Sequence, residues 1–210
     1  YQYTTGEVIL AASTYIGLKE GIQKVSSFNV VTIPGFSGSE SETVIFTDVA
    51  VCVSPDSETL ANIGILTADA SKVLLGWDPR VAFLSFSTKG SGEGPDADKV
   101  IAAVQIIHKK RPDICADGEF QLEVALSMSA AQKKLEEQGE VAGRANIVVF
   151  PDLDAGNTNI KAVKLFSKAD SIGPILTGFN KTVSDLSRTG SLEHLLNTVA
   201  AVAALCEVAE

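Results

Sequence analysis

The chain is poor in the residues that build metal centres and covalent frameworks: among 210 residues it has three cysteines, two histidines, one methionine and one tryptophan. Cys52, Cys115 and Cys206 stand far apart, with no CxxC pair and no Cys/His spacing. That excludes a zinc finger or a disulfide framework and leaves buried, reduced cysteines as the expectation. No apolar run approaches the ~20 residues that a membrane-crossing helix needs, so no membrane partner is expected. Cationic blocks are missing too. Seventeen Lys and Arg against 26 Asp and Glu give a net charge of −9, and such a surface repels a nucleic-acid duplex; nucleic acid is not an expected partner. The opening "YQYTTGEVIL" has neither the basic start nor the long apolar core of a signal peptide. It also has no initial methionine, which suggests a fragment or a processed product.

What is abundant is apolar residue in short runs. The composition is 45% apolar and 20% charged, and a chain of this length buries roughly 70% of its unfolded surface, enough for a core without staples. One large domain, or one and a fraction, is expected. A first helical stretch ends before a strand near Val25 to Ile33, and β-rich runs follow around Glu42 to Val53. "SETLANIGILTADASKVLLG" reads as an amphipathic helix, capped by Ser57 and ended by Gly76. "RVAFLSFS", "ICADG", "RANIVVFPD" and "IGPILTG" read as strands; "DADKVIAAVQIIHKK", "SAAQKKLEEQG" and "NTNIKAVKLFSKA" read as helices between them. Strands alternating with helices of this length form βαβ units, so the predicted class is α/β, a mostly parallel sheet flanked by helices, with some antiparallel pairing early in the chain.

Three stretches carry candidate chemistry. The loop "STKGSGEGPDAD" leaves a strand and enters a helix, where open α/β sheets bind ligands. Its glycines, Gly90 among them, let backbone amides approach an anion, and Ser87, Thr88, Lys89 and Ser91 add donors. It matches neither the P-loop nor GxGxxG, so an ordinary solvated loop stays an equal reading. In "FPDLDAGNTNIK" Asp152, Asp154 and Asn157 invite a metal, but the EF-hand spacing with its closing Glu is absent and no metal is expected. Asn157 or Thr158 reads there as a helix start, with Lys161 one turn on as a cation able to face an anion. In "KTVSDLSRTGSLEHLLNTVAAVAAL", Leu192, Leu195, Leu196, Val199, Val202 and Ala203 share one helical face and His194 points away from it. The reading is that His194 is no core filler and stands near Ser187 and Arg188; the alternative is a solvated histidine beside an N-cap Ser191. His108 is expected to be structural or exposed.

"VAGRANIVVFPDLDAGNTNIKAVKL" and "IGPILTGFNKTVSDLSRTGSLEHLLNTVA" resemble the C-terminal motifs of the phosphate acetyltransferase and phosphate butyryltransferase family. "RVAFLSFSTKGSGEGPDADKV" and "RPDICADGEFQLEVAL" resemble its middle region, in the same order. The resemblance implies an acyltransferase moving an acetyl or other short acyl group between coenzyme A and phosphate, on two α/β domains with the active site in the cleft between them. Coenzyme A would be a substrate, with no tightly bound cofactor. A homodimer in the cytoplasm is implied.

By similarity, residues 21–175 form the second domain, and residues 1–20 with 176–210 are a remnant of the first, whose N-terminal part is missing. Ser187 matches the serine that holds the coenzyme A thiol, and Arg188 the arginine that binds phosphate. Ser87, Thr88, Lys89, Gly90, Ser91, Asn157, Lys161, Asn180, Lys181 and Asp185 make up the expected substrate-binding set. Two positions depart from the pattern: His194 stands where the family has an aspartate base, and Leu10 where an arginine is expected. An imidazole still serves as a base toward a thiol. A non-catalytic module that senses acyl-CoA is the alternative, and a structural oligomerisation domain is a third reading.

Overall fold

The computed structural model describes residues 3–38, 41–186 and 190–207. In chain order its elements are α1 (Thr5–Tyr15), β1 (Ser26–Thr32), β2 (Thr43–Thr47), α2 (Ser57–Leu75), β3 (Arg80–Leu84), α3 (Pro95–Lys110), β4 (Cys115–Phe120), α4 (Leu122–Leu126), α5 (Met128–Lys134), β5 (Ile147–Val149), α6 (Leu153–Ser167), β6 (Asp170–Thr177), β7 (Val183–Ser184) and α7 (Leu192–Glu207). The strands form one sheet in the order β4-β3-β5-β2-β1-β6-β7. β4, β3, β5 and β2 pair in parallel. β1 runs antiparallel to both its neighbours, β2 and β6, and β7 is antiparallel to β6. So β2 to β6 all point one way and only β1 and β7 oppose them, which is the α/β arrangement expected.

Side-chain alternation splits the core between the two faces of this sheet. Ile45, Val81, Phe83, Ile147 and Val149 pack with Leu60 and Ile63 of α2 and with Val100, Ala103 and Ile107 of α3. Val44, Phe46, Ala82, Leu84 and Val148 pack on the other side with Val124, Ala125 and Ile160 of α4 and α6. Both faces of the central strands are covered, which is why these segments read as unbroken apolar runs. α1 is tied on by a smaller cluster of Ala12, Val25, Leu176 and Phe179.

The starts of α2 and α6 follow side-chain chemistry, each shifted from expectation. α2 is capped by Asp56, whose carboxylate accepts from Thr59 N at 2.8 Å, rather than by Ser57; Gly76 ends it in the left-handed conformation, as predicted. α6 starts at Leu153, not at Asn157 or Thr158, because Asp152 accepts from Ala155 N at 2.8 Å and so begins the helix a turn earlier. Asp152 is thereby engaged as a cap. Among the described residues no cluster of three His, Cys, Asp or Glu side chains is disposed to hold a metal, and no helix is long and apolar enough to cross a membrane.

α7 is turned the opposite way from the expectation. His194, Thr198 and Ala201 are buried against β6, His194 to 7% exposure, whereas Leu192 is 72% and Leu196 57% exposed. The cause lies in β6, where one extra residue opposite Asn29 makes a bulge at Gly173–Pro174. Gly173 N donates instead to Thr198 Oγ1 at 3.1 Å. The carbonyl of Ser171, two residues before, meets the His194 ring. Buried backbone groups demand polar partners, and the polar face of α7 supplies them. Ser191 caps the helix as read, accepting from His194 N at 3.1 Å. His108 holds Ala116 O at 2.7 Å through Nε2, the structural role expected of it.

Candidate functional site

A cleft of about 980 Å³ opens where α1, α6, the β6 bulge and the start of α7 meet. Its walls come from both ends of the chain. Tyr3 to Gly6, Asp185, Leu186 and His194 form one side; Asn29, Val49, Ala50, Asn157, Ile160, Lys161, Lys164, Leu165, Gly173 and Pro174 form the other.

Each wall is fixed by local chemistry. α1 begins with a capping box: Glu7 N donates to Thr4 Oγ1 at 3.3 Å and Thr4 N returns to Glu7 Oε2 at 2.6 Å. Thr4 donates to the Glu7 carboxylate from its backbone N and from its hydroxyl, and these two hydrogen bonds lower the Glu7 pKa. The next residue, Thr5, donates its hydroxyl to Asp185 and so ties α1 to the segment after β7. On the opposite wall α6 approaches the end of β2 so closely that a Cβ on Gly156 would lie 2.1 Å from Asp48 O. Asn157 then donates through Nδ2 to Val49 O at 3.0 Å.

The floor rests on Asp48, buried to 2% exposure. Its Oδ1 accepts from Ala50 N at 2.9 Å and Val51 N at 3.1 Å, its Oδ2 from Cys52 N at 2.8 Å, and Ser27 donates its hydroxyl as well. Burial, and after it the neighbouring Asp48 carboxylate, push the Cys52 thiol up to about 12.

His194 is the chemically unusual group. Its Nδ1 lies 2.6 Å from Ser171 O. A carbonyl only accepts, so Nδ1 carries the proton, and Nε2 presents a lone pair whenever the ring is neutral. Nε2 is buried and has no hydrogen-bond partner among the described residues. A buried polar atom left in this way is costly unless a ligand meets it.

Four residues of the expected set meet at this cleft: Asn157, Lys161, Asp185 and His194. Ser187 and Arg188 lie outside the described residues; Asp185 and Leu186, which precede them, line the cleft. Asn180 and Lys181 line a smaller cavity of about 240 Å³ with Lys19 and Asp69. Asn180 Nδ2 donates there to Ile16 O at 3.2 Å. Leu10 is exposed on α1.

The loop from Ser87 to Ser91 does not line the large cleft, and its donors turn inward. Buried Glu119 accepts from Ser87 Oγ at 2.9 Å and from Gly90 N at 2.7 Å. Ser91 Oγ accepts from Thr88 N at 2.8 Å, and Lys89 Nζ donates to Asp117 and to Gly118 O at 2.6 Å each. Ser87 and Gly90 thus meet a carboxylate of the protein itself.

Sequence reasoning missed Asp48, Asn29, Lys164 and the Thr4–Glu7 box. A signal existed for three of them. "TTGE" has the capping-box spacing, and the charge in "VIFTDVAV" and the amide in "SSFNVV" interrupt apolar runs that can hold a polar group only with partners.

The phosphate acetyl/butaryl transferase family matches residues 1–204. The phosphate acetyltransferase of Clostridium acetobutylicum is 44% identical over 198 residues, covering 94% of this chain and 59% of that protein. That of Thermoanaerobacterium thermosaccharolyticum is 41% identical over 201 residues, covering 96% and 61%. A phosphotransacetylase crystal structure from Streptococcus pyogenes superposes with a TM-score of 0.88 at 37% identity, over 99% of this chain and 61% of that one. The chain thus spans about three fifths of the length of the curated relatives it matches. With shared sequence over nearly its whole extent and a shared fold, the chain belongs to the phosphate acetyl/butaryl transferase family.

Proposed function

We propose that this chain carries the acyl-transfer cleft of a phosphate acetyltransferase, moving an acetyl or other short acyl group between coenzyme A and inorganic phosphate, with acetyl phosphate as the mixed anhydride. Beyond family membership, one observation supports it: His194, whose buried Nε2 has no partner among the described residues, lines a cleft that also holds Lys161 and Lys164. A lone pair for a thiol proton and cations for a phosphoryl group are what the reaction needs.

In the direction of thioester formation, the coenzyme A thiol gives its proton to His194 Nε2. The sulfur attacks the carbonyl carbon of acetyl phosphate, the C–S bond forms, and the C–O bond to the phosphoryl group breaks with its electron pair leaving on phosphate. Ser187 orients the thiol, and Arg188 clamps the phosphoryl oxygens bidentately, offsetting charge that develops in transfer. Asn157, Lys161 and Asp185 shape the substrate's surroundings. Asn180, Lys181 and the loop from Ser87 to Ser91 stand further off and act on the outer parts of the substrate. An imidazole in the base position suits this chemistry, since it is a stronger base than the carboxylate of the family pattern.

The division into residues 21–175 and residues 1–20 with 176–210 fits the two walls of the cleft, which draw on both parts. Residues 176 and 177 finish β6 within the common sheet. Work in the cytoplasm and as a homodimer are part of the same reading; the exposed leucine face of α7 and the free cysteines are compatible with them.

Acetyl-CoA formation from acetyl phosphate and coenzyme A, followed by thioester absorbance, tests the proposal. Turnover that falls by most of its value in Arg188→Lys while coenzyme A still binds is expected, because a point charge does not reproduce the guanidinium fork. Wild-type protein that binds coenzyme A without any turnover would make it a sensor instead.

A further inference from the structure

α7 is fastened to β6 at two points, both beyond the reach of β7, which pairs only with Ile175 and Leu176. Ser171 O meets His194 Nδ1 at 2.6 Å, and Gly173 N donates to Thr198 Oγ1 at 3.1 Å. His194 and Thr198 lie one turn apart, about 6 Å along the helix. Ser171 and Gly173 lie two residues apart, about 6.6 Å along the strand. The two spacings match, so both bonds close together and fix how α7 slides and rolls against the strand. Water does not compete there: Ser171, Thr198 and His194 are 2%, 0% and 7% exposed. Ser171 is gripped from its own side too. Its N donates to Asp170 Oδ1 at 2.7 Å and its Oγ accepts from Lys164 Nζ at 2.9 Å, so its carbonyl is held facing His194.

The imidazole needs such a hold. Its outer torsion is broad and roughly two-fold, and in the neutral ring either nitrogen can carry the proton. A carbonyl at Nδ1 settles both, because it places Nδ1 on the strand side and assigns it the proton. Without the bond to Thr198, the start of α7 has one anchor in place of two, and the His194 ring is free to leave Ser171 O. Nε2 then takes the proton in part of the molecules and has no lone pair to offer in them.

We propose that Thr198 is a positioning residue for His194: by holding Gly173 N it keeps Ser171 O against His194 Nδ1, and so keeps the proton off Nε2 of the neutral ring. This rests on the acyl-transfer reading above, in which Nε2 takes the thiol proton. Thr198 itself does not line the cleft, so it acts through the ring and not on the substrate.

The chain has two histidines, which makes the test readable. His108 meets Ala116 O through Nε2 at 2.7 Å, so the two rings should show opposite tautomers in nitrogen NMR spectra of isotope-labelled protein at a pH where both are neutral, with His108 as the internal control. Thr198→Val and Thr198→Ala both remove the acceptor, the first nearly keeping the shape; Thr198→Ser keeps the hydroxyl, and circular dichroism checks folding. The expected result in Thr198→Val is a His194 signal moved from Nδ1–H toward a mixture of tautomers, with His108 unmoved. Its kcat should fall by about 10- to 100-fold while KM for coenzyme A stays within about twofold of wild type, and Thr198→Ser should retain both the tautomer and the rate. Wild-type His194 found as Nε2–H overturns the proposal whatever the variants do. A folded Val or Ala variant that keeps the Nδ1–H signal overturns it as well, even if its rate falls, and so does a change of tautomer with no loss of rate. A change of tautomer in protein whose wild type shows no turnover upholds the positioning and overturns the acyl-transfer reading instead.

Discussion

Asp48 is where a single atom pair should cost the most. The carboxylate is 2% exposed and accepts from three consecutive amides, Ala50, Val51 and Cys52, at 2.8 to 3.1 Å, and from the Ser27 hydroxyl. Asp48→Ala removes every acceptor at once. Each buried donor left without a partner costs about 1–3 kcal/mol. Cys52 N and the Ser27 hydroxyl are buried and bear that in full, while Ala50 and Val51 are half-buried and regain part of it from water. The sum is about 3–5 kcal/mol, a large share of the 5–15 kcal/mol typical of a folded protein. Asp48→Asn keeps one acceptor oxygen and should cost about half as much. Urea unfolding followed by circular dichroism reads both. A loss under about 1 kcal/mol in Asp48→Ala would refute the premise that this carboxylate holds the loop. Because Val49 and Ala50 line the cleft, Asp48→Asn should also raise KM for the substrates.

Acid should destabilise the fold through a known set of carboxylates. Asp113 is held down to about 2 by hydrogen bonds from Arg111, while Asp56 and Glu123 are lowered by hydrogen bonds with Thr59 and Lys134. Folded values below unfolded ones mean that the stability they add is present above about pH 4 and is lost as pH falls toward 2. The urea midpoint should therefore drop between pH 5 and pH 2.5, and Arg111→Met should shrink that drop; a midpoint that rises on acidification contradicts it. Thiol titration of native protein should find Cys206, which is exposed, far ahead of Cys52, whose pKa of about 12 and burial leave little thiolate. Fast native labelling at Cys52 would count against the packing described.

Much of the scaffold was legible because its signals are local. "RVAFLSFS" is apolar on both faces, as a central parallel strand must be, and Gly76 marks the end of α2 where a left-handed residue is needed. The turn of α7 was not legible, for a reason that can be named. Periodicity tells which side of a helix is apolar but not what lies against it, and here the partner of the inner side is a β6 bulge with backbone groups to satisfy. Ser171 O is 23 residues from His194, and no spacing rule joins them. The loop from Ser87 to Ser91 was legible in its composition but not in its contacts. Ser87 and Gly90 meet the Glu119 carboxylate, brought in from the next strand, and no local spacing rule joins them. Of the cleft itself, Asn157, Lys161, Asp185 and His194 were readable one by one, and only the fold brought them to one cleft.

The burial of His194 also changes how its role must be tested. Truncation to alanine would leave a cavity and an unpaired Ser171 carbonyl, so stability and chemistry would fall together. His194→Asn keeps a donor in the position of Nδ1–H and removes Nε2 alone. The direct measurement is the rate of acetyl-CoA formation in wild type and His194→Asn at saturating substrates, with coenzyme A affinity measured alongside. The account predicts a rate lower by about 10² to 10⁴ with affinity nearly unchanged; a variant that turns over as fast as wild type would mean that the thiol proton goes to another group.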